Sequence, residues 1–378
     1  MLLLVVPVSP ARAASDDTDL VSGWLARTLA SNNDLARTPA GEIDYASTAY
    51  ALLGLKSAEL AADQIRASAQ AMSQSKEDFI GTPDQVDSKT TAISLMILAM
   101  QAGDLDPAQY AGSSGTRNLY SELLSTIQPN GAVSTMPTAY GQSFAILALA
   151  GAPGSVPDST KAWLMDQPCN DSSSPGFGGY GFSGPGSCDD VDPDSTALAV
   201  IALGPMNTVA VAPAETIKAS RRYLVSLQDS SGGFASTFSG INANTTGLVV
   251  DALNEISPDS QEAAEGVKFL ESLMYGCDSP SSLVGAIALT ADTRASVSTD
   301  PLSDADQAQI FQASAQGIFG FTELGSPLAV AFGSVDVPSP SCTAAPNGTS
   351  GWWWALGGFL VVVLVYVGWR FIISGRRS

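Results

Sequence analysis

A short polar phrase followed by an apolar run returns about every 50 residues, and this repeat constrains the fold more than any other feature. The copies are Asp44-Tyr45-Ala46-Ser47-Thr48-Ala49, Asp87-Ser88-Lys89-Thr90-Thr91-Ala92, Thr138-Ala139-Tyr140-Gly141-Gln142-Ser143, Asp192-Pro193-Asp194-Ser195-Thr196-Ala197 and Asn242-Ala243-Asn244-Thr245-Thr246-Gly247. Their fifth residues fall at 48, 91, 142, 196 and 246, in steps of 43, 51, 54 and 50. A period of this size marks one supersecondary unit stacked several times. The runs that follow, such as Leu198-Ala199-Val200-Ile201-Ala202-Leu203, are apolar on every side. They predict helices buried around most of their circumference. The Asp, Asn, Ser and Thr residues before them supply N-terminal caps. Amphipathic stretches at 58–73, 159–167, 215–228 and 261–274 predict half-exposed outer helices between the copies. An open stack of such hairpins would leave exposed ends, whereas a closed ring buries every inner helix. The expected fold is therefore all-α, a closed ring of helical hairpins.

The D-x-x-S-T-A-type phrases and the turn Gln228-Asp229-Ser230-Ser231-Gly232-Gly233-Phe234 carry a family resemblance. Gln128-Pro129-Asn130-Gly131-Ala132-Val133 is a fainter copy of that turn. Over roughly 18–333 the chain resembles the α/α-toroid superfamily. That group holds prenyltransferase and squalene–hopene cyclase repeats and the α-domain of the intrinsic factor and transcobalamin family. The resemblance implies an α6/α6 toroid. The sixth inner helix is expected at 311–319, with Gln316 in register with Gln142.

The ends predict export and anchoring. Residues 1–13 combine the apolar Met1-Leu2-Leu3-Leu4-Val5-Val6 with the small-residue site Ala11-Arg12-Ala13, the pattern of a secretory signal. The toroid is expected over 14–333, followed by a stalk rich in Pro, Ser and Gly at 334–350. Trp352 to Trp369 carries no charge, and with Phe371-Ile372-Ile373 it predicts a single membrane-spanning helix at 351–373. Arg376 and Arg377 place the tail, 374–378, in the cytoplasm and the toroid outside, at the plasma membrane. All 37 acidic residues lie between 14 and 350, a region that would repel nucleic acid and anionic lipid.

Four cysteines in an exported domain predict two disulfides among Cys169, Cys188, Cys277 and Cys342, with three pairings open. Cys169 and Cys188 bracket a Gly-rich loop, and Cys277 with Cys342 would tie the last repeat to the stalk. With no histidine and no C-x-x-C pair, a zinc site is not expected.

Inner helices of a toroid run in one direction, so their N-termini gather at one mouth. Asp44, Thr48, Asp87, Thr91, Tyr140, Gln142, Asp192, Asp194, Thr196, Asn242, Asn244, Thr246 and Gln316 are expected there, as hydrogen-bonding groups above an apolar funnel. Phe177, Tyr180 and Phe182, set among glycines, would form an aromatic lid. Asp190-Val191-Asp192-Pro193-Asp194-Ser195-Thr196-Ala197 is similar to the acid motif of squalene–hopene-type cyclases. Pro193 separates its carboxylates, and the histidine that activates the acid in those enzymes has no counterpart. No cysteine sits in the G-C-G-E-Q context of a thioester toroid. Asp192 and Asp194 as the acid pair of a glycan-degrading toroid have no further support in the sequence.

The resemblance to the intrinsic factor and transcobalamin α-domain implies a membrane-anchored binder rather than an enzyme. Its ligand would be a corrinoid, cobalamin, with Asp44, Thr48, Asp87, Tyr140, Gln142, Asp192, Asp194, Asn242, Asn244 and Gln316 bonding the corrin amides. No cofactor is required under this reading. A separate lid domain or a transporter would be its partner, and a surface polymer or protein is the alternative ligand.

Overall fold

A computed structural model describes residues 16–322, apart from 155, 182–185, 205–212, 238, 258–259 and 298–300. Its helices are α1 (Asp16–Ser31), α2 (Tyr45–Ser57), α3 (Ala62–Ser73), α4 (Glu77–Ile80), α5 (Thr90–Ala102), α6 (Leu119–Ser125) and α7 (Ala139–Ala150). They continue as α8 (Asp158–Met165), α9 (Pro193–Leu203), α10 (Pro213–Ser226), α11 (Ala243–Ile256), α12 (Gln261–Leu273), α13 (Ala291–Ser296) and α14 (Asp304–Gly317).

The predicted inner helices form a closed ring. Helix α2 packs on α5, α5 on α7, α7 on α9, α9 on α11, α11 on α14, and α14 back on α2. Ten consecutive residues of α2 are buried, from Ser47 to Lys56, and so is the whole of α9 from Ser195 to Leu203. Only a helix surrounded by neighbours buries itself so evenly. The outer helices read differently. Helix α3 buries Ile65, Ser68, Ala69 and Met72, and α12 buries Ala263, Gly266, Phe269, Leu270 and Leu273. These are the one-sided stripes of helices with a wet outer face. Helix α1 lies on α2 and α14, α3 on α2 and α5, α6 on α5, α8 on α7, α10 on α9 and α11, and α12 on α11. Six inner and six outer helices make an α6/α6 toroid.

Two details depart from the sequence reading. The sixth inner helix begins at Asp304, not 311, so α14 runs ten residues ahead of Ser314. The fold is also not purely helical. Among the described residues three antiparallel ribbons lie between helices: β1 (Tyr110–Gly112) with β2 (Gly115–Arg117), from inner α5 to outer α6, and β3 (Tyr180–Gly181) with β4 (Val191–Asp192) and β5 (Ala235–Ser236) with β6 (Gly240–Ile241), before inner α9 and α11. The last two carry the chain from the Gly-rich turns to the caps of α9 and α11.

Those turns sit tightly on the outer helices. Gly131, in the matching turn before α7, has φ +91°, and a side chain there would collide with the Ser159 carbonyl of α8. Only glycine fits so close to backbone in that conformation.

Cys169 and Cys188 are joined as a disulfide. Cys277 is also disulfide-bonded, while Cys342 lies outside the described residues. The expected signal (1–13), stalk (334–350), span (351–373) and tail (374–378) lie outside them too. Among the described residues no helix is long and apolar enough to cross a membrane.

Candidate functional site

The inner-helix N-termini share one local design, and it accounts for most of the residues that the repeat singles out. Asp44, Thr138, Asp192 and Asn242 each accept a hydrogen bond from the backbone N–H three residues on, at Ser47, Gly141, Ser195 and Thr245. These are N-caps. The fifth residue of the phrase does a second job. Thr48 Oγ1 donates to the Asp44 carbonyl at 2.7 Å and accepts from the Ala36 N–H at 2.9 Å. Thr196 repeats this with the Asp192 carbonyl and the Tyr180 N–H, and Thr246 with the Asn242 carbonyl and the Phe234 N–H. Gln142 fills the same place with a longer side chain. Its Oε1 accepts from Val133 N at 2.7 Å, and its Nε2 donates to the Gly131 and Thr160 carbonyls at 3.0 and 2.9 Å. All four are buried. They staple the preceding turn to the inner helix, so the expectation that they bond a ligand is corrected: their polar atoms are spent inside the fold.

Other expected ligand residues move as well. Ser314, not Gln316, accepts the turn N–H in the sixth repeat, from Ile287 at 2.8 Å. Gln316 therefore lies two residues deeper, in the last turn of α14, with its backbone against Gly247. Asp87 caps nothing, because a 3-10 turn (Pro83–Lys89) runs into α5. Its carboxylate instead holds the N–H and hydroxyl of Thr135, at 3.0 and 2.5 Å. The Thr91 hydroxyl lies against Gly141 on α7. The aromatic lid is also corrected. Tyr180 is fully buried, and burial raises its phenol pKa. Phe177 lies under the Arg222 guanidinium, 5.7 Å from its ring centre. Phe182 lies outside the described residues.

What remains at the mouth is Tyr140, Asp194 and Asn244, each two residues before the staple of its helix and each only partly buried. The Tyr140 hydroxyl is hydrogen-bonded to that of Tyr50 on α2. Helices α2 and α7 are not neighbours in the ring, so this pair crosses the lumen. The Tyr50 ring meets Phe144 at 5.8 Å and Phe319 at 6.2 Å, and Tyr140 meets Phe144 at 5.1 Å. Tyr50, Phe144 and Phe319 are buried. The lumen at this level is filled by rings, and the expected apolar funnel is closed.

Asp194 stands beside this aromatic plug. Its Oδ1 is shielded from solvent and has no hydrogen-bond partner. Burial, reinforced by the charge of Asp192, raises its pKa to about 7, against the pull of a hydrogen bond from the Thr245 hydroxyl. Burial also raises Asp192, which the Ser195 N–H bond holds down in part. The carboxyl of Asp194 lies close enough to Tyr50 and Tyr140 to lift both phenols; with burial as the main cause, Tyr140 rises to about 12. Tyr223, on α10, is raised by burial and then by Asp192 and Asp194. A carboxylic acid that titrates near neutral pH thus stands close to the phenols of Tyr50, Tyr140 and Tyr223 at the mouth. Tyr50 and Tyr223 are absent from the sequence-based set. The signal for Tyr50 is a tyrosine inside an otherwise aliphatic inner helix.

A cleft of about 140 Å³ lies elsewhere on the rim, between Thr28 of α1, Asn32 just beyond that helix, the Arg37–Gly41 turn and the first turns of α14. None of the predicted residues lines it. Among the described residues no cluster of side chains could hold a metal ion.

No protein-family model matches the chain. No curated protein matches it. Solved structures do match. One is a protein from Actinoplanes, 14% identical, with a TM-score of 0.50 over 79% of this chain and 98% of that one. Another is an unsaturated glucuronyl hydrolase specific for heparin, 11% identical, with a TM-score of 0.51 over 79% of this chain and 95% of that one. A third is a type II terpene cyclase from Scytonema, 13% identical, with a TM-score of 0.48 over 82% and 98%. At such identities the likeness shows the fold alone, the α/α toroid. The narrower kinship to the intrinsic factor and transcobalamin α-domain is not carried forward. The expectation of a protein that is not an enzyme is overturned: a solved structure that shares this fold is a hydrolase.

Proposed function

We propose that the chain is an enzyme that uses Asp194 as a general acid on a neutral substrate held at the mouth of the toroid. The observation that carries this reading is the Asp194 carboxyl, with one oxygen buried and unpartnered and a pKa raised to about 7. An acid whose pKa lies near the working pH combines a protonated population with a real drive to give the proton up. After transfer, the carboxylate and the nearby Asp192 stabilise positive charge on the substrate. The ring of Tyr140, only partly buried at the mouth, offers the same cation a face. The substrate is neutral because this rim repels anions: Asp190 and Asp192 crowd it, and the chain carries a net charge of −20.

Capture of a corrinoid loses ground in this reading, since caps and staples consume five of the ten side chains assigned to it and aromatic rings fill the space below. Export and membrane anchoring stay part of the proposal on the strength of residues 1–13 and 351–373.

Phenyl vinyl ether tests acid catalysis without knowledge of the natural substrate. Asp194 passes its proton to the terminal carbon, water adds to the resulting oxocarbenium ion, and the hemiacetal collapses to acetaldehyde and phenol. The proton lost by that water restores Asp194. Phenol release should fall as pH rises through about 7 and drop by about a hundredfold or more in Asp194→Asn. Release that is unchanged in the variant, or that rises with pH, refutes the proposal. A cobalamin titration of the same protein, read by corrin absorbance, checks the displaced reading.

A further inference from the structure

A second unsatisfied oxygen lies at the same level as Asp194. Asn244 occupies on α11 the position that Asp194 occupies on α9, two residues before the stapling threonine. The two helices are ring neighbours, and the Asp194 carboxyl bonds the hydroxyl of Thr245, the residue next to Asn244. Asn244 Oδ1 is shielded from solvent and has no hydrogen-bond partner, as is true of Asp194 Oδ1. A buried amide oxygen without a donor is unfavourable, because it has given up its bond to water. Asn244 caps no helix, because Asn242 does so, and it staples no turn, because Thr246 does so.

We infer that Asn244 is a substrate-binding residue whose side-chain oxygen accepts a hydrogen bond from a hydroxyl group of a neutral, hydroxylated substrate, a sugar or sugar-like polyol. The inference rests on the acid role of Asp194 and names the substrate class for that site. The chemistry of the pair selects a hydroxyl. Asn244 Oδ1 needs a donor, while protonated Asp194 needs an acceptor for its own proton. One hydroxyl does both at once, donating to Asn244 and accepting from Asp194. An amide N–H gives only the first bond. An ammonium group would drive Asp194 to its carboxylate and remove the acid. A carboxylate or phosphate would face Asp190 and Asp192. A hydroxyl held in this way fixes the neighbouring atoms of the substrate against the acid.

The test is binding, followed through the side-chain amide resonances of Asn244 in ¹⁵N-labelled protein. Neutral phenyl glycosides (β-glucoside, β-galactoside and α-mannoside) and phenyl β-glucuronide serve as probes. At least one neutral glycoside should shift the Asn244 signals saturably, and the anionic glucuronide should not. Asn244→Leu and the smaller Asn244→Ser should weaken that binding by about tenfold, followed through backbone amides of the α9 and α11 first turns. Both variants should keep the circular dichroism spectrum of the wild type. No saturable shift with any neutral glycoside, or equal binding by both variants, overturns the inference. Loss of that spectrum in both variants assigns Asn244 a structural role and overturns it too. If glycoside binding depends on Asn244 but Asp194→Asn leaves vinyl ether hydrolysis intact, the acid reading fails and the binding site stands.

Discussion

Asp194→Asn will be more stable than the wild type above neutral pH and no more stable near pH 4. The folded-state pKa of Asp194 is raised to about 7, while in the unfolded chain it returns to the ordinary 3.8. Between those values the unfolded chain gives up the proton that the folded chain retains. Wild-type stability must therefore fall as pH rises across that window and level off above it. A rise from 3.8 to about 7 costs the folded state at most about 4 kcal/mol at high pH, and partial access to solvent at the mouth reduces this to about 2. The amide of Asn never ionises, so the variant lacks the penalty at high pH. Urea unfolding of both proteins near pH 4 and pH 8 gives the comparison. A variant that is equally stable at both, relative to the wild type, would mean that Asp194 ionises as freely in the fold as in water.

Gln142→Ala will lose about 3–5 kcal/mol of stability, more than an exposed ligand-binding residue would cost. Its side chain satisfies the Val133 N–H and the Gly131 and Thr160 carbonyls at 2.7–3.0 Å, inside the fold. Truncation leaves three buried backbone groups without partners and opens a void beside them. Water entering that void would recover part of the loss. The measurement is the urea midpoint, with circular dichroism to show that the ring still forms. A loss below about 1 kcal/mol would show that the turn before α7 does not depend on this staple.

The toroid was legible because its two signals recur. Each inner helix begins with a capping side chain and continues through a run too apolar for a one-sided helix, and those features depend on local sequence. The start of α14 was missed because its first two turns, from Asp304, are largely polar and bury only Ile310. The ribbons β3–β4 and β5–β6 are two residues a strand, too short for an alternation to register. The site was less legible, for a physical reason. Thr48, Thr196 and Thr246 recur because every repeat must fasten its turn, so recurrence marked the scaffold. The residues two positions earlier are Ala46, Tyr140, Asp194 and Asn244, and they share no chemistry. The positions proposed for function are where the repeat stops repeating. Only the hydrogen-bond partners separate a threonine that fastens a turn from an asparagine whose oxygen has none. The disulfide between Cys169 and Cys188, one of the open pairings, likewise needed the fold to bring its two halves together.

The proposed acid chemistry requires Asp194 to titrate near neutral pH. The most direct measurement is the ¹³C chemical shift of its side-chain carboxyl, followed from about pH 3 to about pH 9 in protein labelled at aspartate and assigned through Asp194→Asn. A midpoint near 7 is the predicted result. A midpoint in the ordinary aspartate range, near 3.8, would contradict it and leave the toroid without its acid.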